Sequence, residues 1–467
     1  MRGASGEGAG FAPFAEKMRA EGLPGLAIDT FRHYLEQLQT GASGLIGEDE
    51  ISPVSTLERL DDLSAYAERG RGALDQVAVI KLNGGLGTSM GMTRAKSLLE
   101  VKPGLRFLDL IAQQVLALRE RTQARVPLLC MNSFRTRDDS LAVLAGYSVE
   151  LPGIPLDFLQ HKIPRIDAVH GGPVAWEREP VHEWCPPGHG DLYPALVTSG
   201  ALAALREAGI RYAFVSNADN LGATLDERVL GWVAEEGIPF AMEVTDRTRA
   251  DRKGGHLAVR RSDGALVLRE SAQCAEADRD SFQDIERHRF FNTNNLWIDL
   301  DALQAALDDR GGVLGLPMIR NEKRCDPLDP ASPQTIQLET AMGAAIEAFA
   351  GARALAVSRD RFAPVKTTND LLAVMSDAYT LTEDRRVVRH QDTAGDLVVE
   401  LDERFYKRVD EFLSRFPDGA PSLRACRSLR VEGDHVFGAG VVVEGAVALS
   451  SAGAEQVDVP AGRRFAG

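Results

Sequence analysis

Residues 77–91 read Val-Ala-Val-Ile-Lys-Leu-Asn-Gly-Gly-Leu-Gly-Thr-Ser-Met-Gly, an apolar run that meets a glycine-rich turn. Apolar side chains then follow at 107, 108, 110, 111, 115 and 118, the spacing of an amphipathic helix. Strand, loop and helix in that order form the unit from which α/β domains are built. The pattern recurs downstream: 126–131, 155–159 and 212–216 read as buried strands, and 192–207 as a helix leading into the last. Such alternation predicts an α/β fold with a mostly parallel sheet covered on both faces. Ligands of these sheets lie beyond the carboxyl ends of the strands, which directs attention to the loops after Leu82, Leu159 and Ser216. Asp263-Gly264, a two-residue turn signal, marks one antiparallel hairpin over 257–270.

Outward from this centre, 11–21 and 26–38 carry apolar residues at helical spacing, and Ser55-Thr-Leu-Glu58 is a capping-box pattern ahead of Leu60 and Leu63. This segment is expected to pack and shield rather than to perform chemistry. After Tyr379 comes a charged stretch, TEDRRVVRHQD at 382–392, and one helix is expected over 403–416. A six-residue period follows, with Val431, Phe437, Val443 and Leu449 apolar, and Gly433, Ala439, Gly445 and Ser451 small two positions later. Either β-helix coils or two ordinary strands would produce it. The expected divisions are 1–75, 76–380 and 381–467.

Composition limits what such a chain does. Its 467 residues, 44% hydrophobic and 26% charged, suit a globular protein and not a disordered one. Fifty-three Lys and Arg against 68 Asp and Glu leave a net charge of −15, which argues against broad binding to nucleic acid or anionic membrane. Five cysteines without a Cys-x-x-Cys pair suit a reducing compartment. No run approaches 18 apolar residues, and MRGASGEGAGF at the start lacks a signal-peptide core. A cytoplasmic protein with no membrane and no nucleic-acid partner is expected. Any dealings with anions must rest on a local basic site.

Four segments carry candidate chemistry. The glycines of 84–91 let backbone N–H groups approach an anion, because no Cβ intervenes. The loop is not Gly-x-Gly-x-x-Gly, and Ala95 stands where a Walker loop needs its second glycine, but Lys96 is placed to set one cation against a wrapped triphosphate. Asp219, in Ser216-Asn-Ala-Asp-Asn220, follows a buried strand directly, a suitable place for a carboxylate that holds Mg²⁺ against substrate phosphates or that caps the next turn. In 184–191 (WCPPGHGD), Gly188 permits close approach to a flat ligand and His189 is placed to bond a sugar hydroxyl; an ordinary turn is the other reading. The histidines show no His-Glu-x-x-His spacing, which argues against zinc. Lys366 precedes an apolar helix that Thr367 or Thr368 would cap, and a cation at a helix start implies an anion nearby.

In order along 77–379, LNGGLGTSMG (82–91), MNSF (131–134), PPGHGD (186–191), VSNADNLGATLD (215–226), MEVTDRTRADRKGG (242–255), FNTNNLW (291–297), QLETAMGAAI (337–346) and PVKTTNDLL (364–372) together resemble the eukaryotic-type UTP–glucose-1-phosphate uridylyltransferase (UDP-glucose pyrophosphorylase) family. Related enzymes for other sugars carry Arg or Glu in the glycine loop, whereas Thr88-Ser89-Met90 matches the glucose 1-phosphate branch. The resemblance implies a Rossmann-like, GT-A-like nucleotidyltransferase domain, an N-terminal helical segment and a short left-handed C-terminal β-helix. It implies UTP and a sugar 1-phosphate as substrates and Mg²⁺ as cofactor. By the same resemblance Leu82, Asn83, Gly84 and Gly85 line the nucleotide, Lys96 meets the triphosphate, and Gln160 with Gly188 reads uracil. His189 and Asn217 contact the sugar phosphate, Asp219 binds the metal, Gly255, Glu270, Asn294 and Glu339 surround the hexose, and Lys366 is the catalytic cation. Galactose 1-phosphate as the acceptor and a non-catalytic UDP-sugar sensor are the alternatives. Where the family has Gly-Pro before the loop lysine, this chain has Arg94-Ala95, and Arg94 adds a planar donor for phosphate. The short C-terminal segment leaves the oligomeric state open.

Overall fold

Val77–Asn83 forms the expected strand, buried along nearly its whole length, in a computed structural model that describes residues 10–326, 329–391, 393, 397–451 and 455–467. The first nine residues of the N-terminal segment and Asp392 of the charged stretch lie outside the described residues. The chain forms two compact units: 1–80, 151–215 and 226–358 make the first, and 81–150, 216–225 and 359–467 the second.

In the first unit, strands Glu58–Arg59, Arg353–Ala356, Phe240–Asp246, Phe290–Asp299 and Tyr212–Asn217 are neighbours in that order, with Val77–Asn83 next. The fold is the expected α/β one with a large mostly parallel sheet. Within that row Phe290–Asp299 runs antiparallel to both Tyr212–Asn217 and Phe240–Asp246, so those two share a direction with Arg353–Ala356 and Glu58–Arg59. Its polar residues kept it from reading as a strand: Asn292, Thr293 and Asn295 are buried there. They are satisfied locally, Asn295 Nδ2 and Trp297 Nε1 each donating to the buried Glu243 carboxylate at 3.0 Å. The register shifts between Glu243 and Val244, and Asn294 takes a left-handed backbone with φ of 59°.

The expected hairpin pairs His256–Arg260 with Leu266–Arg269, and Gly264 sits at φ 74°, although the loop spans 261–265 rather than two residues. N-terminal helices Ala12–Ala20 and Gly25–Gln39 pack Phe14, Met18, Phe31 and Leu35 against Trp184, Ile336 and Leu338, the covering role expected of them. The capping box at 55–58 does not form. Glu58 instead pairs in a strand with Leu355, and a 3-10 helix, Leu60–Tyr66, begins without a side-chain cap. The helix expected over 192–207 is broken into Leu192–Thr198 and Ala201–Glu207 at Gly200, whose φ is 77°.

In the second unit the end of Val77–Asn83 lies beside Leu128–Asn132, with helix Phe107–Thr122 between them in sequence. Asp109 caps that helix, its Oδ2 accepting from Arg106 N–H at 2.8 Å and from Arg106 Nε at 2.7 Å. The expected 403–416 helix is two short ones, Glu403–Tyr406 and Val409–Arg415, whose aromatic residues pack with Phe416 and Phe437. Strands Val398–Leu401, Cys426–Glu432, Val442–Ser450 and Arg464–Ala466 then pair side by side, all parallel. No helix among the described residues is long and apolar enough to cross a membrane, and all five cysteines are free thiols.

Candidate active site

The glycine loop closes on itself in the second unit. Lys96 N–H donates to the Gly85 carbonyl at 3.0 Å, and Gly87 and Gly91 take φ of 64° and 71°, a region that favours glycine. A Cβ on Gly87 would lie 2.9 Å from Met92 Sδ, whereas one on Gly85 would meet nothing within 4 Å, so the backbone there faces open space. The Asn83 side chain is buried, with Nδ2 donating to Asn132 Oδ1 at 2.7 Å and Ser140 Oγ at 2.8 Å. What it offers the loop is backbone. Leu82 O accepts from Ala218 N–H at 3.0 Å, and Gly84 O from Ser133 Oγ at 3.1 Å.

This closure delivers Lys96 to Asp219, Nζ to Oδ2 at 2.7 Å, with the two side chains 14% and 22% exposed. The second oxygen, Oδ1, is buried without a hydrogen-bond partner among the described residues. A buried carboxylate oxygen in that state lacks a donor or a cation. The Asp219 carbonyl accepts from Val365 N–H at 3.1 Å, which brings Lys366 alongside, and the Lys366 carbonyl lies 3.5 Å from Ser89 Oγ. Lys96, Asp219 and Lys366 therefore belong to one cluster of loops, with Asn217 one turn away, its carbonyl accepting from Asn220 N–H. Thr367 caps helix Thr368–Met375 as expected, but Asp370 in the first turn accepts from Lys366 N–H at 2.8 Å. The chain thus supplies one anion near the helix start itself. Arg94 is 75% exposed and 3.8 Å from Asp139. Beneath the loops, buried Lys81 donates to Ser216 Oγ at 2.7 Å and the Ala223 carbonyl at 2.8 Å, a support that its place inside an apolar run did not reveal.

The first unit gathers the remaining candidates. Gln160 Nε2 donates to the Gly188 carbonyl at 3.1 Å. Gly188, at φ 80°, admits no side chain: a Cβ would lie 2.4 Å from Thr340 O and 3.1 Å from the Glu339 Cβ. His189 Nδ1 accepts from Met342 N–H at 2.9 Å, and burial pushes its pKa down to about 4. The ring is therefore neutral near pH 7, and with Nδ1 accepting, its proton resides on Nε2. A Cβ on the adjoining Gly343 would touch Asn292 Nδ2 at 3.1 Å. Asn292 N–H points at the Gly255 carbonyl at 3.3 Å, and the Asn292 side chain exchanges hydrogen bonds with Asn294 at 2.9 Å. A Cβ on Gly255 would come within 2.6 Å of the Glu270 carboxylate. Gln160, Gly188, His189, Glu339, Asn294, Gly255 and Glu270 are thus joined by contacts into one patch. Asn292, the link at its centre, is not marked by the sequence, since nothing in an Asn-Thr-Asn-Asn run singles out one amide.

The sequence pattern of one family, UTP–glucose-1-phosphate uridylyltransferase, matches residues 28–444. A protein of that name from Solanum tuberosum is 40% identical over 417 residues, 89% of this chain and 84% of its own length. Its Saccharomyces cerevisiae namesake is also 40% identical, over 83% of this chain and 77% of its own. Among solved structures, a variant UDP-glucose pyrophosphorylase from Leishmania major in complex with UDP-glucose superposes with a TM-score of 0.92 at 43% identity, covering 99% of both chains. A UDP-glucose phosphorylase from Trypanosoma brucei superposes with a TM-score of 0.87 at 43% identity, over 97% of this chain and 98% of its own.

Proposed function

The chain belongs to the UTP–glucose-1-phosphate uridylyltransferase family, and on that premise we propose that it joins UTP and glucose 1-phosphate into UDP-glucose and pyrophosphate. A phosphate oxygen of glucose 1-phosphate attacks the α-phosphorus of UTP in line. The new P–O bond forms as the bond to the bridging oxygen of the β-phosphate breaks, and pyrophosphate leaves with that oxygen. No covalent enzyme intermediate is needed, so the protein's work is positioning and charge stabilisation.

Leu82, Asn83, Gly84 and Gly85 line the nucleotide through their backbone, and Lys96 and Lys366 offset charge on the α-phosphoryl and the leaving group. With its Nε2 engaged on the Gly188 carbonyl, Gln160 presents Oε1 as an acceptor for uracil N3–H, and the Gly188 N–H donates to a neighbouring uracil carbonyl. Cytosine offers an acceptor at N3 and would meet Oε1 with like polarity. His189 donates from Nε2 to the sugar phosphate, which Asn217 also contacts, and Gly255, Glu270, Asn294 and Glu339 surround the hexose. Asp219 fits a Mg²⁺ ligand, since its buried Oδ1 lacks a partner among the described residues and Mg²⁺ commonly takes one or two carboxylates beside phosphate oxygens. When bound, the ion supplies neutralisation of phosphate charge.

The observation that carries this reading is the meeting of Lys96 with Asp219 at 2.7 Å while Val365, next to Lys366, bonds the same residue's carbonyl. Pyrophosphate release by the purified chain with UTP, Mg²⁺ and either glucose or galactose 1-phosphate tests it. Faster release with glucose 1-phosphate is expected. Preference for galactose would reassign the acceptor, and no release with either, alongside UDP-glucose binding, would make the chain a sensor.

The functional division remains 1–75, 76–380 and 381–467, the last containing a short left-handed β-helix. Parallel pairing of Val431 with Leu449, 18 residues on, and of Phe437 with Val459, 22 residues on, supports coils. The free thiols and the charge of −15 support a cytoplasmic setting without nucleic-acid or membrane partners.

A further inference from the structure

Asn220 lies one residue beyond Asp219 and is 2% exposed. Both ends of its amide are engaged on the loop that leads to Lys366: Nδ2 donates to the Arg361 carbonyl at 3.1 Å, and Oδ1 accepts from Ala363 N–H at 3.0 Å. The backbones continue the seam. Asn220 bridges Pro364 in antiparallel fashion, and Val365 N–H donates to the Asp219 carbonyl at 3.1 Å. Arg361 Nη2 returns to the Thr224 carbonyl at 2.9 Å, and a Cβ on Gly222 would lie 2.3 Å from the Asp360 carbonyl.

We propose that Asn220 is a positioning residue for uridylyl transfer, the clamp that fixes Lys366 relative to Asp219. The proposal rests on the reading of Lys366 as the catalytic cation. Lys366 is exposed at the start of its helix, so where its ammonium begins its reach is set by where the loop holds its backbone. Asp370 fixes that backbone to its own helix, whereas the seam fixes it to the carboxylate across the loops. Only an amide serves at 220: one donor and one acceptor meet a carbonyl and an N–H two residues apart, and neither Asp nor Leu does both. Misplacing a reacting group by about 1 Å costs on the order of 10²-fold in rate.

The test is a kinetic cycle on the full chain with Asn220→Ala, Asn220→Asp, Lys366→Ala and the Asn220→Ala/Lys366→Ala double variant. Both Asn220 variants are expected to lower kcat roughly 10- to 100-fold while the KM for UTP stays within about threefold. Lys366→Ala is expected to lose on the order of 10²–10³-fold in kcat. Adding Asn220→Ala to it should cost less than about threefold more, because a clamp has nothing left to place. Asn220→Asp keeps the side-chain shape and carries the test if the alanine variant does not fold, with the thermal midpoint by circular dichroism as the check. Wild-type kcat in both Asn220 variants, with Lys366→Ala impaired, overturns the clamp alone. A loss from Asn220→Ala as large in the Lys366→Ala background as in the wild type does so as well. Wild-type kcat in Lys366→Ala removes the reading of Lys366, and the clamp with it.

Discussion

His189 is held neutral by its surroundings, with Nδ1 receiving the Met342 N–H and burial lowering its pKa to about 4. An unfolded histidine takes up its proton near pH 6.5, so between about 6.5 and 4 the unfolded chain binds a proton that the folded chain refuses. Stability on this account falls as pH drops through that window and is unaffected above it. The ring resonances of His189 followed by NMR from pH 8 to 5.5 should not titrate; a midpoint near 6.5 would contradict the assignment. For Gln160→Ala we expect the preference for UTP over CTP to drop about tenfold or more, since an acceptor matched to N3–H is lost. Unchanged discrimination in competition assays would rule the role out. Lys96 and Asp219, each singled out in the sequence because its side chain offers one chemistry, meet at 2.7 Å. At Asn83 the sequence does not show that the amide turns inward to Asn132 and Ser140, because an amide serves core and ligand equally well.

At the scale of elements, short-range pattern was reliable where one face is apolar and unreliable where tertiary pairing competes. Strand 77–83 and helix 107–122 follow their periodicity. The capping signal at 55–58 lost to a strand pairing with Leu355, which is 297 residues away from Glu58 and invisible to local inspection. Phe290–Asp299 went unread because its buried Asn and Thr side chains are satisfied by Glu243 and by one another. Lys102 is a further long-range element. It reaches the end of helix Thr368–Met375, donating to the Ser376 and Tyr379 carbonyls at 2.7 Å each, and burial lowers its pKa to about 8. An unfolded lysine keeps its proton to about 10.4, so from about pH 8 to 10.4 the unfolded chain binds more protons and stability from this group rises with pH. Lys102→Met should therefore trail the wild type in urea midpoint by more at pH 9.5 than at pH 7.5. An equal gap at both values would show that the amine titrates alike in both states.

Over the whole molecule, the hexad period announced repetition but not its geometry. Val431, Phe437 and Val443 are buried as the period implies, yet the paired strands recur after 18 and then 22 residues, neither spacing announced by the hexads alone. Nor did the period reveal what these strands hold. Helix Thr368–Met375, which begins two residues after Lys366, meets the C-terminal segment at both ends. Asn369 Oδ1 accepts from Leu401 N–H at 3.1 Å, and Asp377 accepts from Ser422 Oγ, Leu423 N–H and Arg424 N–H at 2.7, 2.9 and 3.1 Å. A segment so attached supports the helix that follows Lys366, the proposed catalytic cation, and its loosening should be felt in turnover as well as in stability. Asp377→Ala removes three hydrogen bonds at a partly exposed site, for an expected loss of about 1–3 kcal/mol in urea denaturation. Because the helix C-terminus would be freed while the seam at Asp219 and Asn220 persists, kcat should fall only a few-fold and the KM for UTP should not change. A stability loss with kcat fully retained would separate the C-terminal segment from the placement of Lys366.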